Sequence, residues 1–597
     1  MFMRGESVRF WLPIILLAGM GACSSYKLID AHVSPEVKAP DYTFTRDLKA
    51  NRGSIYSSFG KSYPFAKSVP YWEYHLDPVS LTNALVRRRG EPRRPALAIM
   101  KTIADALGVD FAAVKRMSAN TKNRYQFLAL SSDPDAYRTI ADSSLVAGVA
   151  INDKQVRQYI HGRRLCHVLG SVNDANVGSA GIEQYFNREL TGTPGKIKGM
   201  RDARRRELYD KRITSVDPIP GADIYLTIDP NIQFETERHL KWGVAEYGAG
   251  AGWGIVMNAK TGAILSMASY PDFEPIKFGK SDPEATMNRT IAWNYEPGSV
   301  MKVITAAAAI DMGRVTPSTR YRTNRDDDRY FRLPGDGSHK WEPTMTIKDA
   351  IVHSSNIVIG KLGYDIGPKR LWEYMRKFGF GAKTHIELPG EQYGILPHWK
   401  RWDKVKWSRA PIGQGVSVTA IQLISAYQAL ANDGVRMKPY IVEKVVDANG
   451  LSIGDYGSKT LGSVVSASTA RKMREMMLGV AAPGGTARRA AIKGYSIAGK
   501  TGTAQKVING HYADGLYVAT FCGIVPATAP ELVILISLDF NARTRYHQGG
   551  NSAGPVFKRL ALTALRYLEV APDKPEEIEE SDDDEYESIK SSALNLP

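Results

Sequence analysis

The sequence predicts an α+β multidomain protein: an N-terminal transmembrane anchor, a mixed α/β domain, and a larger C-terminal domain of antiparallel sheet flanked by helices. Three observations predict it. The chain has 597 residues, too many for one compact core, so two or more domains are expected. An apolar run from Phe10 to Cys23, continuing weakly through Tyr26, follows Arg4 and Arg9. From about residue 222 to 570, short strand patterns are interleaved with helical ones.

The N-terminal run comes first. Seventeen helical residues cover about 25 Å, at the short end of what a bilayer requires. A signal peptide, a signal anchor and a lipoprotein signal all fit such a run. Gly21-Ala22-Cys23 suits cleavage, yet Met20 stands where a lipoprotein signal usually has Leu. Flanking arginines favour a cytoplasmic N-terminus. The reading is therefore a cytoplasmic tail over 1–9 and an uncleaved, single-pass anchor over 10–28 in the cytoplasmic (inner) membrane. No second span of comparable length follows, so the catalytic part is expected on the periplasmic, extracytoplasmic side.

Composition narrows the class. Hydrophobic residues make up 43% and aromatics 9%, as in ordinary globular proteins. The formal charge is +16, but residues 571–597 carry −8, which leaves +24 on the rest. That surplus favours anionic surroundings such as lipid headgroups or acidic polymers; nucleic acid is disfavoured because the N-terminal segment directs the rest of the chain out of the cytoplasm. Only Cys23, Cys166 and Cys522 occur, an odd, sparse set that is no disulfide framework. Cys522 sits in an apolar run and reads as a packing residue. No C-x-x-C or His cluster has metal-ligand spacing, and no cofactor is expected.

Residues 30–215 form the mixed domain. Its basic runs, Arg87-Arg88-Arg89 with Arg93-Arg94 and Arg204-Arg205-Arg206, read as solvated loops. Leu97 to Leu107 has helical spacing and Gly108 is its stop. A boundary falls at Asp217-Pro218-Ile219-Pro220-Gly221. Beyond it, over 222–570, Ile224–Ile228 reads as a strand, Asn231–Val244 as a helix, and Gly254–Met257 and Ala263–Met267 as strands around a turn. Met301–Ile310 is a helix, and Thr346 to Asp349 opens another. Thr419–Asn432 reads as an amphipathic helix ended by Gly434. Strands return at Tyr495–Val507, Tyr517–Ile524 and Leu532–Leu538, and helix Gly554–Leu568 closes the domain. The acidic stretch at 571–597 reads as a disordered, solvated tail.

Three short motifs carry chemistry: Ser299-Val300-Met301-Lys302, Ser354-Ser355-Asn356 and Lys500-Thr501-Gly502-Thr503. In this order S-x-x-K, S-x-N and K-T-G describe one serine acyl-transfer site. Each alone is weak. Ser24 to Lys27 also fits S-x-x-K, Ser118-Ala119-Asn120 and Ser171-Val172-Asn173 fit S-x-N, and Lys260-Thr261-Gly262 fits K-T-G. Context decides between the copies. Pro297-Gly298 breaks the chain before Ser299 and a helix follows, so Ser299 sits where free N–H groups and the dipole favour negative charge. Lys302 is one turn on, within reach of the serine. The bland alternative, a capped helix, a polar loop and a turn-side strand, needs three motifs to fall in order by chance.

Roles follow from the chemistry. Serine needs a base, and Lys302 serves only if neutral; burial and a second cation, Lys500, both lower its pKa. Ser354 is placed to relay protons to the leaving amine. Asn356 orients Lys302 and holds substrate backbone. Backbone N–H groups of Ser299 and Thr503 form an oxyanion hole. Thr501 and Thr503, with Lys500, suit a substrate carboxylate, and Gly502 lets substrate backbone approach.

With these residues the chain resembles the class B penicillin-binding proteins, monofunctional D,D-transpeptidases with a penicillin-binding, serine β-lactamase-like catalytic fold. Leu226-Thr227-Ile228-Asp229 with Gln233, Ala268-Ser269-Tyr270-Pro271, Asn288-Arg289, Tyr295-Glu296-Pro297-Gly298-Ser299, Ile412 through Thr419, Gly485-Thr486-Ala487 and Gly549-Gly550 through Phe557 fit that domain. Arg52-Gly53-Ser54-Ile55-Tyr56 with Gly60, and Gly181-Ile182-Glu183 with Leu190-Thr191-Gly192, fit the family's pedestal, a dimerisation-type domain. Family members usually continue the first with Asp-Arg-Asn; Ser57-Ser58-Phe59 stands here, which puts the associated polar network in question. No segment of 30–220 resembles a glycosyltransferase site, which disfavours a bifunctional enzyme. The path from Leu169-Gly170 to Gly181 and the Gly415–Thr419 sequence look more like the division type than the elongation type.

The resemblance implies cross-linking of peptidoglycan stem peptides ending in D-Ala-D-Ala, acylation by β-lactams, no metal or organic cofactor, and division-protein partners including a polytopic membrane glycan polymerase. The rival readings are a D,D-carboxypeptidase or β-lactamase, a β-lactam sensor, and a catalytically idle division scaffold. The large pedestal and anchor argue against the first pair. The lack of a cytoplasmic signalling domain argues against the sensor, and the complete motif set against the scaffold.

Overall fold

The computed structural model describes residues 42–82, 95–142, 148–201, 214–325, 329–336, 342–542 and 546–578, with isolated positions besides. The expected anchor, both basic runs and most of the acidic tail fall outside them. Among the described residues no helix is long and apolar enough to cross a membrane.

The chain divides into two compact units. Of the described residues, the smaller takes those from 42 to 50 and those between 193 and 219; in it strand Gly195–Arg201 pairs antiparallel with Thr43–Leu48 and with Thr214–Val216. The larger takes residues 51–192 and 220–597 and contains every residue discussed below.

The larger unit opens with β1 (Ile55–Ser57) and the long β2 (Gly60–Leu76). Helix α1 (Ala96–Leu107) ends at Gly108, whose φ of 61° is the left-handed stop the sequence predicts. It packs Ile99, Met100 and Ile103 against Tyr74, Leu76 and Leu128 in a separate apolar cluster. β3 (Gln126–Ser131) and β4 (Val149–Tyr159) both pair with β2. After residue 220 come β5 (Asp223–Leu226) and α2 (Pro230–Tyr247). The Asp229 carboxylate accepts from the Asn231 and Ile232 amides at 2.8 and 3.1 Å, Pro230 occupies the first turn and Gly248 ends the helix. β6 (Ala251–Asn258) and β7 (Ile264–Tyr270) form the predicted hairpin, each a few residues longer than expected. Then follow α3 (Lys302–Asp311), α4 (Ile347–Val352), α5 (Asn356–Ile366), α6 (Lys404–Arg409) and α7 (Ala420–Ala431). β8 (Val442–Val446), β9 (Ser452–Ile453) and α8 (Ala467–Ala481) lead to β10 (Ala498–Ile508), β11 (His511–Val525), β12 (Leu532–Phe540) and α9 (Ala553–Tyr567).

Two sheets organise this unit. One runs β9-β8-β5-β1-β2-β3, with β4 also on β2; β5 lies parallel to β1 and antiparallel to β8. The other is antiparallel, β7-β6-β12-β11-β10, and β10 is its edge. α7 packs against β6, β11, β12 and α8. All of Ala420–Ala431 is buried, which corrects the amphipathic reading of this helix. Its polar residues are Gln422, Ser425 and Gln428. Gln422 closes the capping box with Thr419. Gln428 donates to the Ala259 carbonyl at 2.8 Å and accepts from the Met437 amide at 2.9 Å. The two glutamines thus mark internal hydrogen bonds and not a wet face, while Ser425 is simply buried.

The pedestal motifs meet in a buried ion network. Glu183 is fully buried; its carboxylate accepts from Arg52 Nε at 2.7 Å and Arg157 Nε at 2.6 Å. Arg52 also donates to the Glu183 carbonyl and the Asn187 side chain, and Arg157 to the Gly53 carbonyl. A polar network therefore exists around Arg52 although Ser57-Ser58-Phe59 replaces the usual triplet.

The start of the acidic tail departs from the disordered reading. The Asp573 carboxylate accepts from the Ser496 amide at 2.8 Å and from the Ser496 and Thr528 hydroxyls, and Pro575–Glu577 forms a 3-10 turn. Composition made this segment look solvated; one carboxylate with three donors fixes it.

Candidate active site

Chain geometry places Ser299 at a turn into a helix. Gly298 has φ of 55°, Gly298–Met301 is a 3-10 turn and α3 starts at Lys302. The Gly298 amide donates to the Gly413 carbonyl at 3.1 Å. Gly413 itself has φ of 80°, and a Cβ there would lie 2.2 Å from the Gly298 oxygen, so only glycine fits. Tyr427 on α7 donates to the Val300 carbonyl at 2.9 Å. The turn bearing the serine is thus tied from two sides.

Lys302 is fully buried. Its Nζ donates to Asn356 Oδ1 at 2.6 Å, to Ser354 Oγ at 3.1 Å and to the Ser354 carbonyl. Ser354 sits between α4 and α5 with φ of 60°. The Asn356 amide also donates to the Gly335 carbonyl at 2.7 Å, which fixes which end of it faces Lys302 and leaves its second N–H free of this contact. Burial lowers the Lys302 pKa to about 7, against the opposing pull of Asp336.

β10, the sheet edge, lies against the serine turn. A Cβ on Gly502 would come 3.0 Å from the Pro297 carbonyl, and one on Gly298 would come 3.3 Å from the Thr503 carbonyl. Lys500 is fully buried; burial first, then the charge of Lys302, pushes its pKa well down. Mutual repulsion of the two lysines therefore tells on Lys500, while burial accounts for the lowering at Lys302. The Thr501 hydroxyl donates to that of Thr486 at 3.1 Å. Thr503 Oγ1 accepts from the Gly549 amide at 3.3 Å. The strand does not simply alternate: Lys500, Thr501 and Gly502 are all buried and Thr503 is exposed.

Ser299, Asn356 and Thr503 line one open cleft of about 620 Å³. Lys302 and Ser354 join it through Asn356, and Lys500 stands beside Lys302. Of the carboxylate-binding set, Thr503 faces the cleft and Thr501 is turned toward Thr486. Of the other copies of the motifs, Ser24 to Lys27 lies outside the described residues, and Lys260-Thr261-Gly262 is a turn at Asn258, with Gly262 at φ of 78°.

Sequence reasoning missed Asp336. Its carboxylate accepts from Ser355 Oγ at 2.7 Å and from the Asn356 and Ile357 amides, so it caps α5 and anchors the S-x-N turn. It lies in Pro334-Gly335-Asp336, which reads only as a turn. Glu296 was noted as part of a motif and given no role. It accepts from the Gly415 amide at 2.7 Å and from the Tyr512 hydroxyl at 3.1 Å across the cleft.

Comparison with known proteins places the chain in a family. The penicillin binding protein transpeptidase domain matches residues 252–562, and the penicillin-binding protein dimerisation domain matches 47–226. This chain belongs to the penicillin-binding protein transpeptidase family. It is 30% identical to the peptidoglycan D,D-transpeptidase FtsI of Escherichia coli over 556 residues, 91% of this chain and 88% of that one. It is 34% identical to the stage V sporulation protein D of Bacillus subtilis over 433 residues, 72% of this chain and 66% of the relative. Among solved structures, penicillin-binding protein 3 of Mycobacterium tuberculosis complexed with ampicillin superposes with a TM-score of 0.65 at 26% identity, covering 88% of this chain and 97% of that one. The two-domain architecture, a dimerisation domain followed by a transpeptidase domain, is the architecture of the family.

Proposed function

We propose that this protein is a peptidoglycan D,D-transpeptidase that cross-links stem peptides through a Ser299 ester and is acylated at the same residue by β-lactams. The observation that carries the reading is the contact set of Lys302: a fully buried amine held by Asn356 and Ser354 one helical turn from a serine that lines the cleft.

In this mechanism neutral Lys302 takes the proton from Ser299 Oγ as that oxygen bonds to the carbonyl carbon of the penultimate D-alanine. The carbonyl oxygen becomes an anion received by the backbone N–H groups of Ser299 and Thr503; losing one such donor typically costs roughly 10²–10³ in rate. The C–N bond to the terminal D-alanine then breaks, and its nitrogen receives a proton from Lys302 by way of Ser354. An amine from a second stem attacks the ester carbonyl and gives up its proton by way of Ser354 to Lys302; the C–O bond to Ser299 then breaks and Lys302 returns that proton to Ser299 Oγ. Asn356 keeps Lys302 in register, and its spare N–H suits substrate backbone. Lys500 and Thr503, with Thr501 behind them, hold the substrate carboxylate, and Gly502 leaves room for its backbone.

The finer assignments belong to the same proposal. Residues 10–28 anchor the chain in the cytoplasmic membrane, 30–215 form the pedestal and 222–570 the catalytic domain, on the extracytoplasmic side. The work is septal wall synthesis, with division proteins and a polytopic glycan polymerase as partners. Homology to FtsI supports this role.

Exchange of Ser299→Ala tests the core claim. The wild-type protein takes up fluorescent penicillin and the variant does not; an adduct that persists in the variant removes Ser299 from the mechanism. Cross-linked dimers rather than free tetrapeptide as product separate transpeptidation from hydrolysis.

A further inference from the structure

The lining of the cleft carries two guanidinium groups, Arg325 and Arg409. Arg325 Nε donates to the Leu333 carbonyl at 2.8 Å, which pins the side chain along the Leu333–Asp336 segment. A Cβ on Gly335 would lie 3.8 Å from Arg325 Nη1, and the Gly335 carbonyl is the one that holds Asn356. Arg409 ends α6 and is half-buried. Both line the same cleft as Ser299. Arg409 is close enough to Arg325 for their charges to repel, and burial together with that repulsion lowers its pKa.

Two adjacent guanidiniums, one of them half-buried, are unfavourable unless an anion stands between or before them. Among the described residues no carboxylate makes an ion pair with either. The acidic groups on the cleft are engaged otherwise. Asp403 caps α6 by accepting from the Lys406 amide at 2.6 Å. Glu296 is held by the Gly415 amide and the Tyr512 hydroxyl. Lys406 stands near Glu296, whose ionised form it favours. Among the described residues, that leaves Arg325 and Arg409 as cationic groups of the cleft without an ion-pair partner, in the lining that also holds Asn356.

We infer that Arg325 and Arg409 form a specificity subsite for a side-chain carboxylate on the acyl-donor stem peptide, upstream of the bond that Ser299 attacks. This rests on the transpeptidase reading and deepens it. The subsite is separate from Lys500 and Thr503, which take the terminal carboxylate. Guanidinium is suited to the task because its planar fork meets a carboxylate through two parallel hydrogen bonds and remains charged throughout. The donor's acidic side chain is therefore selected over its amidated form.

The test uses the full chain in detergent and two synthetic D-Ala-D-Ala-type thioester donors, identical except for a carboxylate or a carboxamide on the residue preceding the scissile unit. Acyl-enzyme formation is followed by intact mass, with benzylpenicillin as a separate acylating agent. The wild-type protein is expected to form the acyl-enzyme on the order of ten- to a hundredfold faster with the carboxylate donor, as for hydrogen bonds to a charged group. Arg325→Gln with Arg409→Gln is expected to bring that ratio to within about twofold of unity, and Arg409→Lys to retain part of it, which a general loss of fold does not do. A wild-type ratio near one, or a ratio that survives in the double variant, overturns the subsite, as does penicillin acylation with no reaction of either donor. Absence of any adduct, penicillin included, overturns the transpeptidase reading itself.

Discussion

The buried Lys302 amine makes acylation sensitive to pH in a way that can be worked out beforehand. Its pKa is lowered to about 7, with burial as the main cause. In the proposed mechanism only the neutral amine accepts the Ser299 proton, so the reactive fraction is roughly one tenth at pH 6, one half at pH 7 and nine tenths at pH 8. The second-order rate of acylation by benzylpenicillin should therefore rise about tenfold from pH 6 to pH 8 and level off above. Asn356→Asp places a carboxylate where Oδ1 now sits, 2.6 Å from Nζ. That charge favours the ammonium and should move the midpoint up by about 1–3 units, so the variant is slow at pH 7 and recovers at alkaline pH. The assay is stopped-flow or quenched mass analysis of the penicilloyl adduct, with acid and base limits checked by circular dichroism. A flat wild-type profile across this range, or a midpoint that moves down in the variant, refutes Lys302 as the base. The same lowered pKa has a stability sign. Between about pH 7 and the ordinary lysine value the unfolded chain binds a proton that the folded one does not, so this group's cost is full below pH 7 and is relieved as pH rises.

Three further outcomes are expected. Glu183→Gln leaves the Arg52 and Arg157 charges buried without their carboxylate and should cost about 3–5 kcal/mol in denaturant unfolding; a loss under about 1 kcal/mol would show that the network is not what holds the pedestal motifs together. Gly413→Ala drives a Cβ into the Gly298 oxygen at 2.2 Å from a φ of 80°, so penicillin acylation should fall at least about tenfold while the far-ultraviolet spectrum is kept, strain of this kind being worth about 1–3 kcal/mol; unaltered acylation would mean the serine turn does not depend on this contact. Asp336→Asn keeps the shape of the S-x-N anchor and removes the charge that opposes the Lys302 shift, so the midpoint of the pH profile should move below that of the wild type, and a midpoint that stays or rises would contradict the stated electrostatics.

Much of the catalytic geometry was legible because its signals are local. Pro297-Gly298 before Ser299, Lys302 three residues on, and Gly434 or Gly108 after a helical run each act within a turn of chain. Lys500 to Thr503 was placed on a strand, yet its burial pattern was not readable, because the close approach of the Pro297 carbonyl to Gly502 comes from a segment two hundred positions away. Asp336 escaped notice for the same reason: an aspartate in a Pro-Gly turn has no spacing relation to Asn356, and only folding brings its oxygens onto the amides of α5. The helix Ala420–Ala431 was read with a wet face because Gln422, Ser425 and Gln428 are polar, and sequence does not show that backbone carbonyls await two of them. The pedestal's Arg52 and Glu183 were both singled out, but their partner Arg157 carried no motif at all.

The parallel pairing of β1 with β5 has a practical bearing on anyone who would cut this protein. β5 begins at Asp223, ahead of the transpeptidase match at 252, yet it runs between a strand from before residue 60 and a strand from beyond residue 440. Ile55 and Ile224 sit side by side in one continuous apolar interior with Val300 and Met301, next to Ser299. A fragment begun at 222 would bare the flank of β5, leaving unsatisfied amides and a fresh template for self-association. Expression trials should therefore keep residues from about 42 onward, which also retains the Thr43–Leu48 partner of strand Gly195–Arg201, and the two halves should melt in a single transition.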